Sequence, residues 1–172
     1  MKRSRGVLIS FAGWSGSGKT TYIETCISLL KDLGYRVYAV KSTHLEVPLD
    51  TPGTDSHRFK QAGASGVCFL TGNGSAVFLE ETENQVDHDR LTGFFPEADV
   101  ILAEGYHGKT DLLYEIAREG ASTEGLKNRK KDLDGIITDS VAIKKSCEKQ
   151  GLPVFSLNDP GHFIDSLAKR FK

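Results

Sequence analysis

An eight-residue stretch near the N-terminus, Gly13 to Thr20, constrains this chain more than any other feature. It reads Gly-Trp-Ser-Gly-Ser-Gly-Lys-Thr and fits the pattern G-x-x-x-x-G-K-[ST] at every required position. An apolar, β-rich run from Val7 to Ala12 precedes it, and a helical pattern from Lys19 to Leu33 follows it. A strand before the pattern and a helix after it form the context in which it marks a phosphate-binding loop.

The residue types in this loop are suited to holding phosphate. Glycines let the backbone turn its N–H groups inward around an anion, and the N-terminus of the following helix adds a partial positive charge. We expect Lys19 to reach the β- and γ-phosphates of a nucleotide and to act in catalysis, and the Thr20 hydroxyl to hold Mg²⁺. The predicted nucleotide-binding residues of the loop and first turn are Gly13, Ser15, Gly16, Ser17, Gly18, Lys19, Thr20 and Thr21.

The composition predicts one soluble globular domain that spans residues 1–172. Hydrophobic residues make up 38% and charged residues 26% of the chain, which is typical of a folded domain. The formal net charge of −1 argues against a dedicated binder of nucleic acid or of a membrane surface. No apolar stretch is long enough for a signal peptide or a membrane span, and we expect a cytoplasmic protein.

The three cysteines are far apart in the sequence and form no C-x-x-C pair. Their spacing supports neither a disulfide framework nor a zinc site. Cys26 lies on the apolar stripe of the first helix and Cys68 in a strand-like run, so both are predicted to be small core residues.

Strand and helix patterns alternate along the chain, which predicts an α/β fold: a three-layer sandwich of the P-loop NTPase type with a mostly parallel sheet. Gly72-Asn73-Gly74 is a turn signal that predicts a hairpin between its two neighbouring strands. The charged stretch from Glu119 to Asp134 is predicted to be a flexible loop. Strands are predicted at residues 7–12, 35–40, 67–70, 76–79, 99–103, 111–116, 135–139 and 153–157, and helices at 19–33, 55–62, 86–95, 140–150 and 160–171.

Four polar or glycine positions follow predicted strands and would meet at one edge of the sheet. They are Gly13, Lys41, Glu104 and Asp139. Ligands of such sheets bind outside the carboxyl ends of the strands, so one site could use all four. Glu104 follows a buried strand, and its carboxylate is suited to Mg²⁺, which takes few protein oxygens and keeps waters and phosphate ligands.

A looser group of polar residues lies between the second strand and the next helix. Lys41 could neutralise a γ-phosphate or another anion, and Asp50 or Asp55 could position Mg²⁺ or water. We predict a catalytic role for Glu104 and Asp55. His44 could be a base or an anion contact.

The sequence does not settle which base is read. The guanine-reading motif N-K-x-D is absent, and Asp139 in Ile137-Thr138-Asp139-Ser140 occupies a comparable place. Asn158-Asp159 after the next strand is an alternative for the same role.

Beyond the phosphate loop, several segments resemble the family of molybdopterin-guanine dinucleotide biosynthesis adapter proteins, MobB. The run from Lys41 to Ala64 is the most specific of them, with Asp50-x-Pro52-Gly53-x-Asp55-Ser56 followed by Ala62-Gly63-Ala64. Ala103-Glu104-Gly105-Tyr106 resembles the family's Glu-Gly-Phe strand end. Three places differ from the family pattern: Ser42 follows the lysine, His44-Leu45 replaces a histidine pair, and His107 stands where lysine is usual.

This resemblance implies a GTP-binding adapter that needs Mg²⁺ and supports the attachment of GMP to molybdopterin. It further implies a homodimer with weak GTP hydrolysis at most, a MobA-type guanylyltransferase as partner, and the molybdenum-insertion enzyme as a second candidate partner. No arginine finger is evident, although Arg58 or Arg118 could be supplied across a dimer. The alternative interpretation is a small-molecule kinase or ATP-dependent ligase similar to dethiobiotin synthetase.

Overall fold

The computed structural model describes residues 5–43, 45, 47–48, 50–79, 86–121 and 125–171. These residues form strands and helices in the predicted order, together with a 3-10 helix at Lys130–Asp132. The strands are β1 (Val7–Ala12), β2 (Val37–Lys41), β3 (Gly66–Thr71), β4 (Gly74–Leu79), β5 (Val100–Glu104), β6 (Leu112–Ala117), β7 (Gly135–Thr138) and β8 (Val154–Ser156). The helices are α1 (Lys19–Asp32), α2 (Asp55–Gln61), α3 (His88–Gly93), α4 (Val141–Glu148) and α5 (Gly161–Phe171).

The chain divides into two compact units. Unit 1 comprises residues 1–42 and 87–172, and unit 2 comprises residues 43–86. That residues 1–172 act as one nucleotide-binding domain stays a prediction.

Unit 1 is built on a six-stranded sheet with the order β2-β5-β1-β6-β7-β8. Every neighbouring pair in this sheet is parallel. β1, which leads into the phosphate loop, lies near the middle, between β5 and β6. The predicted parallel α/β sheet is confirmed.

Helices cover both faces of the unit 1 sheet. The larger core contains the buried faces of α1 and α5, which pack on the central strands around residues such as Ile9 and Ile137. The neighbour of Ile137 on β7, Ile136, packs on the opposite face with Cys147 of α4. Since side chains alternate across a strand, this arrangement gives the three layers expected from the sequence.

Aromatic rings fill the centre of the larger core. Phe163 of α5 contacts Phe11 of β1, Tyr22 of α1 and Tyr114 of β6, with ring centroids 4.9 to 6.0 Å apart. Phe163 and Phe11 are fully buried, and Tyr114 is 1% exposed. This cluster fixes α1 against β1 and thereby holds the two ends of the phosphate loop.

Unit 2 contains α2 and an antiparallel hairpin of β3 and β4, as the turn signal predicted. Within the hairpin strands only Val67 is buried. Cys68 is exposed, so its prediction as a core residue is wrong, whereas Cys26 is buried as predicted. The apolar run around Cys68 resembles a core strand, but a two-stranded ribbon has no second layer to bury both of its faces.

None of the described helices is both long enough and apolar enough to cross a membrane.

Candidate nucleotide-binding site

The sheet of unit 1 brings the predicted strand-end residues to one edge in a defined order. Lys41 ends β2 and Glu104 ends β5, and the two are paired in register. The phosphate loop follows β1, next to β5, and Asp139 follows β7, two strands away on the other side. Because the strands are parallel, all of these residues lie at the carboxyl edge where such sheets bind ligands.

The phosphate loop occupies residues 13–18, and α1 begins at Lys19. Gly13 has a φ of 140°, and a β-carbon there would collide with the Ile116 carbonyl oxygen of β6. Gly18 is the N-cap residue of α1 with a φ of 90°, in the left-handed region that favours glycine. The loop therefore depends on glycine at both of its ends.

The Lys19 side chain folds back over the loop. Its ammonium donates to the carbonyl oxygens of Gly13 at 3.1 Å and Trp14 at 2.8 Å. Burial lowers the pKa of Lys19, and although Glu104 opposes this, the nearby charges of Lys41 and Lys127 lower it further. An anion bound at the loop would favour the charged form of Lys19 and would thus offset both the burial and the repulsion by the two lysines.

Thr20, Glu104 and Lys41 form a connected polar group beside the loop. The Thr20 hydroxyl donates to Glu104 Oε2 at 2.8 Å, and the Lys41 ammonium donates to Oε1 at 2.5 Å. The Glu104 side chain is 12% exposed, whereas that of Lys41 is 62% exposed. The structure thus joins two residues predicted to hold Mg²⁺ with the lysine predicted to meet an anion.

The Glu104 carboxylate is held in its charged form. Burial raises the pKa of this carboxyl, but the hydrogen bonds from Lys41 and Thr20, with the charges of Lys41 and Lys19, outweigh burial. The pKa of Glu104 therefore lies below its ordinary value. A carboxylate that stays ionised and borders a threonine hydroxyl is suited to a hard cation such as Mg²⁺.

A cleft of about 300 Å³ lies at the ends of β7 and β8. Asp139 and Asn158, the alternatives for reading the base, both line it, together with Lys144 and Phe155. One oxygen of Asp139, Oδ1, already accepts the backbone N–H of Glu119 at 2.8 Å. Asp139 and Asn158 therefore line the same cleft. The cleft lies two strands from the phosphate loop, on the side away from the Thr20–Glu104 pair.

Glu115 is a functional candidate that sequence reasoning missed. It is fully buried in β6, and its carboxylate accepts the backbone N–H groups of Lys127 and Asn128 and the Asn128 amide. Trp14 of the loop also holds this segment, since its indole N–H donates to the Gly125 carbonyl at 2.8 Å. Part of the predicted flexible loop is therefore anchored against the phosphate loop. The charged residue in the apolar run Leu112–Ala117 was the available signal.

The remaining predicted residues lie in unit 2 or outside the described residues. Asp55 is the first residue of α2, and its carboxylate pairs with Arg58 at 3.3 Å. Asp50 accepts hydrogen bonds from the Thr54 and Ser56 hydroxyls. His44 lies outside the described residues. The roles of Asp55 and Asp50 near Mg²⁺ stay predictions.

Residues 8–139 match the protein family described as molybdopterin guanine dinucleotide synthesis protein B, MobB. The match includes the phosphate loop, Lys41, Glu104 and Asp139.

The chain belongs to this family.

Curated relatives agree with the assignment to the MobB family. The molybdopterin-guanine dinucleotide biosynthesis adapter protein of Escherichia coli is 32% identical over 117 residues, which cover 66% of this chain and 67% of the relative. The adapter protein of Haemophilus influenzae is 37% identical over 101 residues, which cover 58% of this chain and 56% of the relative. The chain thus spans about half to two thirds of the length of these relatives.

Related solved structures extend the likeness to nearly the whole chain. The crystal structure of Bacillus subtilis MobB is 26% identical with a TM-score of 0.70, and the alignment covers 96% of this chain and 98% of that one. HypB from Archaeoglobus fulgidus, a hydrogenase maturation factor, has a TM-score of 0.55 at 18% identity and covers 97% of this chain and 91% of that one. HypB therefore supports the fold alone. Nothing in these comparisons favours the kinase or ligase alternative.

Proposed function

We propose that this protein is a GTP-binding adapter in the biosynthesis of molybdopterin guanine dinucleotide, with weak GTP hydrolysis at most. The observation that carries the proposal is membership of the MobB family together with a complete phosphate loop. The names of its relatives, which are adapter proteins of this pathway, support the role.

The loop fits the phosphates of a nucleotide. The glycine backbone and Lys19 are suited to phosphate, and the Ser17 hydroxyl adds a third observation. This hydroxyl is buried and has no hydrogen-bond partner among the described residues. A buried hydroxyl without a partner is costly, which favours a site that is completed by a polar ligand. Lys19 would bind the β- and γ-phosphates, and the N–H groups at the start of α1 would hold the phosphate chain.

Thr20 and Glu104 would hold Mg²⁺ at the same edge. When bound, Mg²⁺ neutralises phosphate charge and orients the phosphate chain. Glu104 would accept a hydrogen bond from a water of the ion or bind the ion directly, and Lys41 would keep this carboxylate oriented. Asp55 remains our candidate for a further contact to water or Mg²⁺.

The cleft between the ends of β7 and β8 is our candidate for the guanine site. Asp139 Oδ2 is the oxygen that Glu119 does not use, and it could accept the N–H donors of guanine. Asn158 in the same cleft offers both a donor and an acceptor. The Asp139 carboxylate supports GTP over ATP, because adenine lacks the two adjacent donors that a carboxylate recognises.

We expect slow hydrolysis because the sequence shows no arginine finger for the transferred phosphate. Phosphate-loop proteins that lack an arginine for this step are slower by about 10³- to 10⁵-fold. Slow turnover suits a protein that delivers or presents a nucleotide to a partner.

The proposed partners are a MobA-type guanylyltransferase and a second copy of this chain, with the molybdenum-insertion enzyme as a further candidate, all in the cytoplasm. Unit 2 supports an interaction role, since Leu70 is 76% exposed and Val77 is 62% exposed. Phe69, on the other face of the hairpin, is 53% exposed. Apolar side chains exposed on both faces of one hairpin favour a protein partner.

Nucleotide binding is the first test. We expect titration calorimetry with Mg²⁺ to give binding of GTP and much weaker binding of ATP, and Lys19→Ala to abolish the binding. Lys31→Ala is the matched control, because Lys31 lies on the last turn of α1, away from the loop. A preference for ATP would contradict the adapter proposal, and unchanged binding by Lys19→Ala would contradict the assignment of the loop.

Partner capture is the second test. The purified chain should retain a purified MobA-type guanylyltransferase on a column, and GTP with Mg²⁺ should change the retained amount. The Lys19→Ala variant should lose this nucleotide dependence. Absence of capture in every nucleotide state would contradict the adapter role even if GTP binds.

A further inference from the structure

The guanidinium of Arg118 lies beside the N-terminus of α1 in its own chain. A β-carbon placed on Gly18 would be 3.8 Å from Arg118 Cζ and 3.9 Å from Nη2. Arg118 directly follows β6, the neighbour of β1 in the sheet. The arginine therefore reaches the phosphate loop without a second subunit.

The turn that carries Arg118 is fixed at both ends. The N–H of the next residue, Glu119, donates to Asp139 Oδ1 at 2.8 Å, and the Ala121 N–H donates to the Arg118 carbonyl at 3.3 Å. Asp139 lines the cleft at the ends of β7 and β8. The residue that follows Arg118 is thus held by the same carboxylate that we assign to the base.

The position of this guanidinium is electrostatically unfavourable unless an anion is bound nearby. The N-terminus of α1 carries a partial positive charge, and Lys19 begins that helix. Among the described residues, no carboxylate forms an ion pair with Arg118. The side chain is exposed and could turn into solvent, so its location at Gly18 favours an anionic ligand there.

We propose that Arg118 binds the nucleotide in its own chain, at the α- or β-phosphate. This proposal rests on the proposed nucleotide binding and adds Arg118 to the cationic side chains, Lys19 and Lys41, that are proposed there.

The order of the strands supports this choice of phosphate. Along the carboxyl edge, Lys41 and Glu104 lie on the β2–β5 side of the loop, and the cleft lies on the β7–β8 side. β6 lies between the loop and the cleft, and neighbouring strands are about 4.8 Å apart. A group at the end of β6 therefore faces the part of a nucleotide between its base and its terminal phosphate. The γ-phosphate would lie on the β2–β5 side of the loop, near Lys19 and Lys41.

The test is a calorimetric comparison of GTP and GDP binding, both with Mg²⁺. Loss of a charge-assisted contact should weaken binding by about 10- to 100-fold in Arg118→Ala. Because GTP and GDP share the α- and β-phosphates, both should lose affinity by the same factor. Arg118→Lys should retain part of the affinity, since lysine keeps the charge but not the forked geometry.

Arg129→Ala is the matched control. Arg129 lies, like Arg118, in the connection between β6 and β7. Its side chain is 75% exposed and forms an ion pair with Asp132. This variant removes the same charge and should bind both nucleotides as the unchanged chain does. Equal affinities of Arg118→Ala and the unchanged chain would overturn the proposal, as would a loss confined to GTP.

A mixing experiment separates action within one chain from action across a dimer. The Lys19→Ala variant and the Arg118→Ala variant are mixed, and GTP binding is measured again. If Arg118 serves its own chain, the mixture gains no tight binding, because no chain has both residues. Recovery of tight binding would show that Arg118 acts on the partner's loop and would overturn the proposal. Failure of the unchanged chain to bind any nucleotide would instead contradict the proposed function itself.

Discussion

At the residue scale, Glu104 organises the polar side of the phosphate loop. Glu104 belongs to β5, and its carboxylate accepts hydrogen bonds from the Thr20 hydroxyl of α1 and from the Lys41 ammonium of β2. Two consecutive elements, α1 and β2, therefore meet a third that is distant in sequence, β5, at one side chain. Its lowered pKa means that the folded chain favours the charged form, so stability should depend on pH through this group.

We predict that Glu104→Gln changes this pH dependence. Since the folded pKa lies below the ordinary value of 4.5, the stabilisation by Glu104 is present above that value and is lost as the pH falls through the folded pKa. The variant should be less stable than the unchanged chain at about pH 6, by at most about 1 kcal/mol because Lys41 is largely exposed. The difference should shrink towards about pH 3, as measured by urea denaturation at each pH. A difference that stays constant with pH would contradict this role.

The sequence predicted the placement of Lys19, Thr20 and Glu104 because a short motif and a strand end determine where they lie. It did not predict the Lys19 contacts with loop carbonyls or the position of Arg118 beside Gly18. Those contacts depend on which strand lies next to β1, and local patterns do not carry that information. Arg118 was considered only as a residue supplied across a dimer.

At the element scale, the segment after β6 is held by one buried carboxylate of β6 and by one contact from the phosphate loop. Glu115 accepts three hydrogen bonds from Lys127 and Asn128, and Trp14 contacts the same segment through Gly125. Sequence analysis predicted a flexible loop for this stretch, because many charged residues are typical of a solvated segment. Burial of a single glutamate in the preceding strand provides acceptors for its backbone and overrides that pattern.

We predict that Glu115→Gln destabilises the fold by about 1.5–3 kcal/mol, since an amide with a single acceptor oxygen replaces a carboxyl group that serves three donors. Denaturant unfolding measures the change. Glu119→Gln is the control, because Glu119 is exposed and, among the described residues, only its backbone N–H forms a hydrogen bond. The same substitution there should leave the free energy of unfolding within about 0.5 kcal/mol. Equal effects of the two substitutions would show that burial of Glu115 does not stabilise the segment.

At the scale of the whole molecule, alternation of strands and helices predicted a parallel sheet, and the turn at residues 72–74 predicted the hairpin. The strand order β2-β5-β1-β6-β7-β8 could not be obtained in this way, because pairing between distant strands is decided by packing. The error at Cys68 has the same origin. An apolar run predicts burial, but burial requires a second layer, and the hairpin of unit 2 supplies only two strands.

This difference in layering predicts two levels of stability within one chain. β5 is buried between neighbours on both sides, whereas β3 and β4 form a two-stranded sheet and remain largely exposed. Two-stranded hairpins are marginal by themselves, so their amides should open locally. In hydrogen exchange of the dilute protein, we expect the amides of β3 and β4 to exchange at least about 100-fold faster than those of β5. If protection of the hairpin rises with protein concentration while β5 is unchanged, a second copy covers it. Equal protection of both units at every concentration would contradict the prediction and would mean that residues 1–172 unfold as one cooperative domain.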